Sequence, residues 1–339
     1  MLFDLPHFDH VEAASAAEAV LHLESYAGKA AIIAGGTDLL ALMKDGIPSP
    51  RAGVPEALIN IKNIPELRQI TYDGDRGLLI GAAVTLAQLG TSEIVEELFP
   101  ILSRAAQAVG STQIRNMGTV GGNVCQRPRC MYFRHPHFLC FKKGGTRCFA
   151  RAGEHESYHS VFGNGKCTSA HPSDLAPCLM ALKAEAAAVG PEGAREIPLE
   201  EFFQPSDSTV ETVLGPYELV TWFRVPAGGK PSRQVFRKAR VRKSVDFALC
   251  SVAACAVMES GICKEISIVL GGVAPSPRID RVIETVMRGR CPDGELISEA
   301  SEKAVEGARP LPMNGYKVDL VKALVRDALS SVLGTESSL

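Results

Sequence analysis

The stretch AAIIAGGTDLL, residues 30–40, decides how this chain is read. An apolar run of strand length ends on paired glycines. Thr37 and Asp38 then stand where they can cap a following helix, LLALMKD. Glycine admits positive φ and lets a ligand approach the backbone. Successive N–H groups in such a turn form an anion-binding concavity, and a helix start adds positive potential. A second stretch, GSTQIRNMGTVGGN at 110–123, repeats this logic, and two such loops suit a pyrophosphate. Neither is a G-x-G-x-x-G or a G-x-x-x-x-G-K-[ST] motif, so a Rossmann or P-loop site is poorly supported. Taken singly, each loop also reads as a mere tight turn.

Working outward, residues 14–24 show helical apolar spacing. LINI (58–61) and LLIGAAVT (78–85) read as strands, and 94–109 as one amphipathic helix. Residues 110–123 read as a loop, and LAPCLMAL (175–182) resumes an apolar pattern. ELVTWFRVP (218–226) reads as a strand, followed by a linker, AGGKPS, at 227–232. Beyond it come three strand-like runs, FRKARVR, FALCSVAACAV and EISIVLGGV. Helical stretches at 278–289, 294–307 and 316–333 follow, which predicts a separate α+β domain. The final SSVLGTESSL reads as a frayed tail.

The 339 residues are 46% hydrophobic and 22% charged, which excludes a disordered or collagenous chain. The 36 basic and 38 acidic residues give a net charge of −2, with no general pull toward nucleic acid or an anionic membrane. No signal peptide and no transmembrane run is evident, so the expected location is the cytoplasm, with export inside a folded complex as the alternative. In that compartment clustered cysteines bind metal more often than they form disulfides. Six of the ten cysteines lie between Cys125 and Cys178, together with five of the eight histidines.

The order IIAGGTDLL, INIKNIPEL, LLIGAAVTLAQL, RNMGTVGGN and HPSDLAP resembles the FAD-binding subunit of molybdenum hydroxylases, the flavoprotein of the xanthine dehydrogenase and carbon monoxide dehydrogenase group. FRKARVRKSVDFALCSVAA and LGGVAPSPR continue the resemblance over nearly the whole chain. It implies an α+β fold: a two-lobed FAD-binding domain of the vanillyl-alcohol-oxidase type, then a small α+β C-terminal domain of the CO dehydrogenase flavoprotein type. The expected boundaries are 1–55 for lobe 1, 56–226 for lobe 2 with an insertion at about 124–172, and 227–335 for the C-terminal domain. Carried over by position, Ile32, Ile33, Ala34, Gly35, Gly36, Thr37 and Asp38 form the first FAD loop. Gly118, Thr119, Gly122 and Asn123 form the second. Asp174 matches the family acid near the adenosine part, and Lys238 a lysine that approaches the flavin. The residues alone also allow Asp174 to be a helix cap. Lys238 equally reads as one charge among Arg237, Arg240, Arg242 and Lys243 in a solvated strand.

About fifty residues separate Asn123 from Ser173, where most of the family joins the two motifs almost directly. The inserted CQRPRCMYFRHPHFLCFKKGGTRCFARAGEHESYHSVFGNGKC resembles that of 4-hydroxybenzoyl-CoA reductases and certain bacterial aldehyde oxidoreductases, in which four cysteines hold a [4Fe–4S] cluster. Such a cluster takes four thiolates. The expected ligands are Cys130, Cys140, Cys148 and Cys167, with Cys125 as an alternative to Cys130. Their wide gaps lack the C-x₂₋₄-C pairs usual at structural zinc. His135 and His137 read as packing rather than ligands, and His171 as a neighbour of FAD. Lys142, Lys143, Arg147 and Arg151 are expected to offset cluster charge. Cys178, Cys250, Cys255, Cys263 and Cys291 read as packing residues.

The resemblance thus implies an oxidoreductase subunit of a heterotrimer that transfers electrons through FAD and a [4Fe–4S] cluster. A large partner would hold the molybdenum cofactor, and a small partner two [2Fe–2S] clusters. No triad or carboxylate pair is evident, so no catalytic side chain is expected. The alternatives are a family member with FAD but no working cluster, and a zinc-stabilised binding or scaffold protein.

Overall fold

Three sheets organise this computed structural model, which describes residues 4–48, 53–227 and 233–334. The first is parallel, built from β1 (Asp9–Glu12), β2 (Ala30–Ile33) and β3 (Ala57–Asn60) in the order β1-β3-β2. Helix α1 (Ala16–Ser25) crosses over between β1 and β2, capped by Ser15 and packed through Ala19, Val20 and Leu23. Helix α2 (Leu39–Lys44) follows the first glycine loop. The central strand of this sheet is β3, which begins just past residue 55.

Lobe 2 carries an antiparallel sheet of order β4-β5-β8-β6-β7. Its strands are β4 (Ile70–Asp73), β5 (Gly77–Gly81), β6 (Glu185–Gly190), β7 (Gly193–Pro198) and β8 (Leu219–Val225). Between β5 and β6 run α3 (Leu86–Gly90), α4 (Glu93–Leu98), α5 (Pro100–Gln107), α6 (Thr112–Met117), α7 (Val120–Val124) and α8 (Leu175–Ala181). Helix α9 (Leu199–Phe202) follows β7. Leu78, Ile80, Phe223, Ile101, Leu102, Leu179 and Phe202 meet in one core.

Two expectations change in this lobe. The single helix at 94–109 is two, because Phe99 leaves helical geometry (φ −131, ψ 51) and Pro100 starts the next helix without an N–H to donate. The expected loop at 110–123 contains α6 and α7, each started by a hydroxyl cap: Ser111 accepts from Ile114 N–H and Thr119 from Gly122 N–H.

The C-terminal domain has an antiparallel sheet of order β12-β11-β10-β9, formed by β9 (Arg233–Ala239), β10 (Cys250–Glu259), β11 (Ile262–Gly271) and β12 (Arg278–Ile279). Helices α10 (Arg281–Met287), α11 (Gly294–Lys303) and α12 (Tyr316–Leu333) cover one face, where Val321, Val325, Leu329 and Val332 are buried. Helix α8 packs on β10 and β11 and joins this domain to lobe 2. The expected linker lies, from residue 228 to 232, outside the described residues. The expected frayed tail is still helical through Leu333, and residues 335–339 lie outside the described residues. No helix among the described residues is long and apolar enough to cross a membrane.

The inserted segment between α7 and α8 has little regular structure of its own, two single turns of 3₁₀-helix at Phe141–Lys143 and Phe149–Arg151. A small core holds it instead. Cys130, Tyr132, Phe133, Cys140 and Ala150 pack with Leu42 and Ile47, which α2 and its end supply.

Candidate functional site

The two glycine loops face one cavity of about 280 Å³. All seven expected residues of the first loop, Ile32 to Asp38, line it, and so do Thr119 and Gly122 of the second. Gly36 has φ +68, a conformation that L side chains rarely adopt. A Cβ on Gly35 would lie 2.0 Å from the Met117 carbonyl oxygen, so only glycine lets the two loops meet. The second loop is pinned by backbone bonds of Val120 N–H to Val84 O and Gly121 N–H to Ala82 O, both 2.9 Å. The result is a cradle of backbone facing open space, suited to a diphosphate that needs close approach. Its remaining lining includes apolar Leu214, Leu219 and Val220 and polar Gln126, Arg127 and Glu218.

Four other expected residues, Gly118, Asn123, Asp174 and Lys238, do not line this cavity. Gly118 supplies the carbonyl that accepts from Leu86 N–H. Asn123 accepts a 2.6 Å bond from the Ser173 hydroxyl, which itself accepts from Ala176 N–H and starts α8. Ser173 therefore caps that helix, and Asp174 makes no capping bond. Its carboxylate instead receives Lys238 Nζ at 2.6 Å, with both side chains at most 5% exposed. Lys238 also donates to Ala108 O at 3.1 Å, so it is not a solvated strand charge. Burial pushes the Asp174 carboxyl up, against the pull of Lys238. The other oxygen, Oδ1, is buried with no hydrogen-bond partner in the structure.

Asp38 departs from its expected capping role. Its side chain makes no cap bond and turns toward the insertion. Oδ1 receives Arg134 Nη2 at 2.7 Å and Arg129 Nη2 at 2.8 Å, and Oδ2 receives the Arg127 backbone N–H at 2.9 Å. Burial would raise the Asp38 carboxyl, but these cations and the backbone bond hold it below the usual carboxylate range.

A second, smaller cavity adjoins the first, and Cys130, Cys140, Cys148 and Cys167 all line it. Phe133 lines both cavities and forms a shared wall. Cys125 lines the flavin-side cavity, and Cys178 lies in the lobe 2 core. His135 and His137 are exposed, meet edge-to-face with ring centroids 5.1 Å apart and do not line the cysteine cavity. His171 is buried against Phe203, lines neither cavity, and burial pushes it down to about 3. Among the described residues, no group of three or more His, Cys, Asp or Glu side chains is arranged to hold a single metal ion. Three of the four sulfurs have polar neighbours: His159 Nε2 is 3.3 Å from Cys130, the Thr168 hydroxyl 3.4 Å from Cys148, and the Ser169 hydroxyl 3.1 Å from Cys167. Burial raises the Cys130 thiol to about 12, and also raises Cys140 and Cys167. Lys143 opposes that rise at Cys140, and Lys142 at Cys167.

Sequence reasoning missed several members of this region. Gln126, Arg127, Phe133, Leu214 and Glu218 come to the first cavity from distant positions, and no local motif marks them. Buried Glu211 was also missed, and it pairs with Arg127 and Lys142, each at 2.9 Å. Lys142 is therefore already partnered by an acid, unlike the uncompensated charge expected of it.

Comparison with known proteins bears on the first cavity. Residues 6–228 match the family model for the FAD binding domain in molybdopterin dehydrogenase, and residues 234–332 that for the CO dehydrogenase flavoprotein C-terminal domain. The chain is 35% identical to the aldehyde oxidoreductase FAD-binding subunit of Escherichia coli, over 93% of this chain and 94% of that protein. It is 27% identical to the carbon monoxide dehydrogenase medium chain of Hydrogenophaga pseudoflava, over 96% and 97%. A solved structure of carbon monoxide dehydrogenase from that organism superposes with a TM-score of 0.76 at 26% identity, covering 98% of this chain and 99% of that one.

Proposed function

This chain belongs to the family of FAD-binding domains of molybdopterin dehydrogenases, and from that premise we propose that it is the electron-transfer subunit of a heteromeric molybdenum hydroxylase, holding FAD in the first cavity and a [4Fe–4S] cluster in the second. The observation that carries this reading is the pairing of cavities: a glycine-lined one beside one onto which four cysteines converge.

For the flavin, the donor set fits. The backbone at Gly35 and Gly36 would take the diphosphate, with Thr119 and Gly122 opposite. Asn123, Asp174 and Lys238 lie outside the lining, and we assign them to a further part of the FAD site. The unpartnered Oδ1 of Asp174 supports this, because a buried acceptor without a donor is costly unless a ligand supplies one. When bound, FAD would exchange electrons singly or in pairs and so join one-electron clusters to a two-electron donor or acceptor.

For the cluster, four thiols on one aromatic-lined cavity match the ligand set, and a [4Fe–4S] cluster would supply one-electron transfer there. A [4Fe–4S] cluster takes four thiolates, one on each iron, and four thiols line this cavity. Thr168 and Ser169 hydroxyls beside Cys148 and Cys167 would stabilise thiolate charge. A zinc knuckle is disfavoured because the four cysteines lack the C-x₂₋₄-C pairs usual at structural zinc.

The expected partners are a large subunit with the molybdenum cofactor and a small subunit with two [2Fe–2S] clusters. No acid, base or nucleophile of this chain is assigned to substrate chemistry. The test is to purify the protein from its host and identify what accompanies it. Copurification of both partners, with flavin reduced on adding the substrate of the large one, is expected. A lone chain that oxidises substrate by itself would overturn the proposal.

A further inference from the structure

The two cavities are joined by more than a shared wall. Asp38 belongs to the first glycine loop and lines the flavin-side cavity. All three of its polar partners, the Arg127 N–H and the Arg129 and Arg134 guanidinium groups, come from the insertion, on either side of Cys130. These side chains are 14–18% exposed, so solvent screens them only partly. A second contact runs in parallel. Leu42 and Ile47, from the helix after the glycine loop and its end, pack into the core that contains Cys130 and Cys140.

We propose that Asp38 is a positioning residue that links flavin binding to the state of the cysteine cavity. The inference rests on the reading of that cavity as a [4Fe–4S] site. The physical argument concerns charge and order. A carboxylate beside a diphosphate repels it unless cations neutralise the carboxylate. Here two guanidinium groups do so, and both sit on a segment with two turns of 3₁₀-helix and a small core. Four cysteines held by one cluster would tie that segment at four points. Without it the segment keeps only its small core, Arg129 and Arg134 leave Asp38, and the first loop faces the diphosphate with an uncompensated charge. Binding at one cavity thereby biases the other, a coupling between two distinct sites.

A double-mutant cycle tests this on the complex purified with its partners, reading FAD affinity from the fluorescence of released flavin. Cys148→Ser, which removes one ligand, is expected to weaken FAD about tenfold when Asp38 is present, and by less than about twofold in an Asp38→Asn background. Wild-type complex stripped of iron by a chelator provides the same comparison without a cysteine substitution, should Cys148→Ser fail to fold. Equal weakening with and without Asp38 would overturn the link, as would unchanged affinity on iron loss. Failure of the underlying reading looks different: this subunit of the wild-type complex would then contain no iron.

Discussion

The flavin-side cavity and the cysteine cavity share a wall at Phe133 but are made in different ways. The first is made of backbone. Its loops hang from β2, from the 82–86 segment after β5, and from short capped helices, and glycine sets its shape. The second is made of side chains on a segment without strands, held by Tyr132, Phe133 and the cysteines themselves. A backbone site keeps its form when its ligand leaves. A side-chain site on irregular backbone depends on the ligand for its order.

The sharpest way to break this contrast is to remove one cysteine. Cys148→Ser should abolish bound iron, whereas Cys125→Ser and Cys178→Ser should retain it, by iron analysis after anaerobic purification. Equal loss in all three would mean the cavity does not select the ligands. Next is Gly36→Val, which places a β-branched residue at φ +68 with its Cβ 3.0 Å from Leu40 Cδ1. Flavin content should fall below about a tenth of wild type, since the disturbance falls on the backbone-made site. Stoichiometric flavin would contradict the cradle.

Smaller in effect is Lys238→Met. It strands a buried carboxylate, and denaturant unfolding should show a loss of about 3–5 kcal/mol. Because the pair lies outside both cavity linings, iron content should not change. The mildest effect concerns pH. His171 is neutral when folded, with its value lowered by burial to about 3. The unfolded chain binds this proton below about 6.5 and the folded one does not, so stability present above 6.5 is lost as pH falls toward 3. The melting temperature should drop over that window less steeply in His171→Leu than in wild type. Parallel curves would remove His171 from the account.

What was legible in the sequence follows the same contrast. Glycine pairs mark a backbone site directly, because few other residues tolerate φ +68 or an approach of 2.0 Å. The resemblance of the insertion marked the four cysteines that line the second cavity, and the sheet-forming runs of the C-terminal domain were legible from their apolar patterns. The split at Phe99–Pro100 was masked by continuous helical periodicity. The roles of Asp38 and Lys238 were misread locally, since their partners lie about 90 and 64 residues away. Short-range rules assign a carboxylate before a helix to a cap, and long-range pairing overrode that at both Asp38 and Asp174.

The most direct test of the central claim is a cofactor count on the complex purified without oxygen, in wild type and in Cys148→Ser. The account predicts about one flavin and roughly four irons on this subunit in wild type, and no iron on it in the variant. Flavin with no iron on wild-type subunit, or a single zinc in its place, would contradict it.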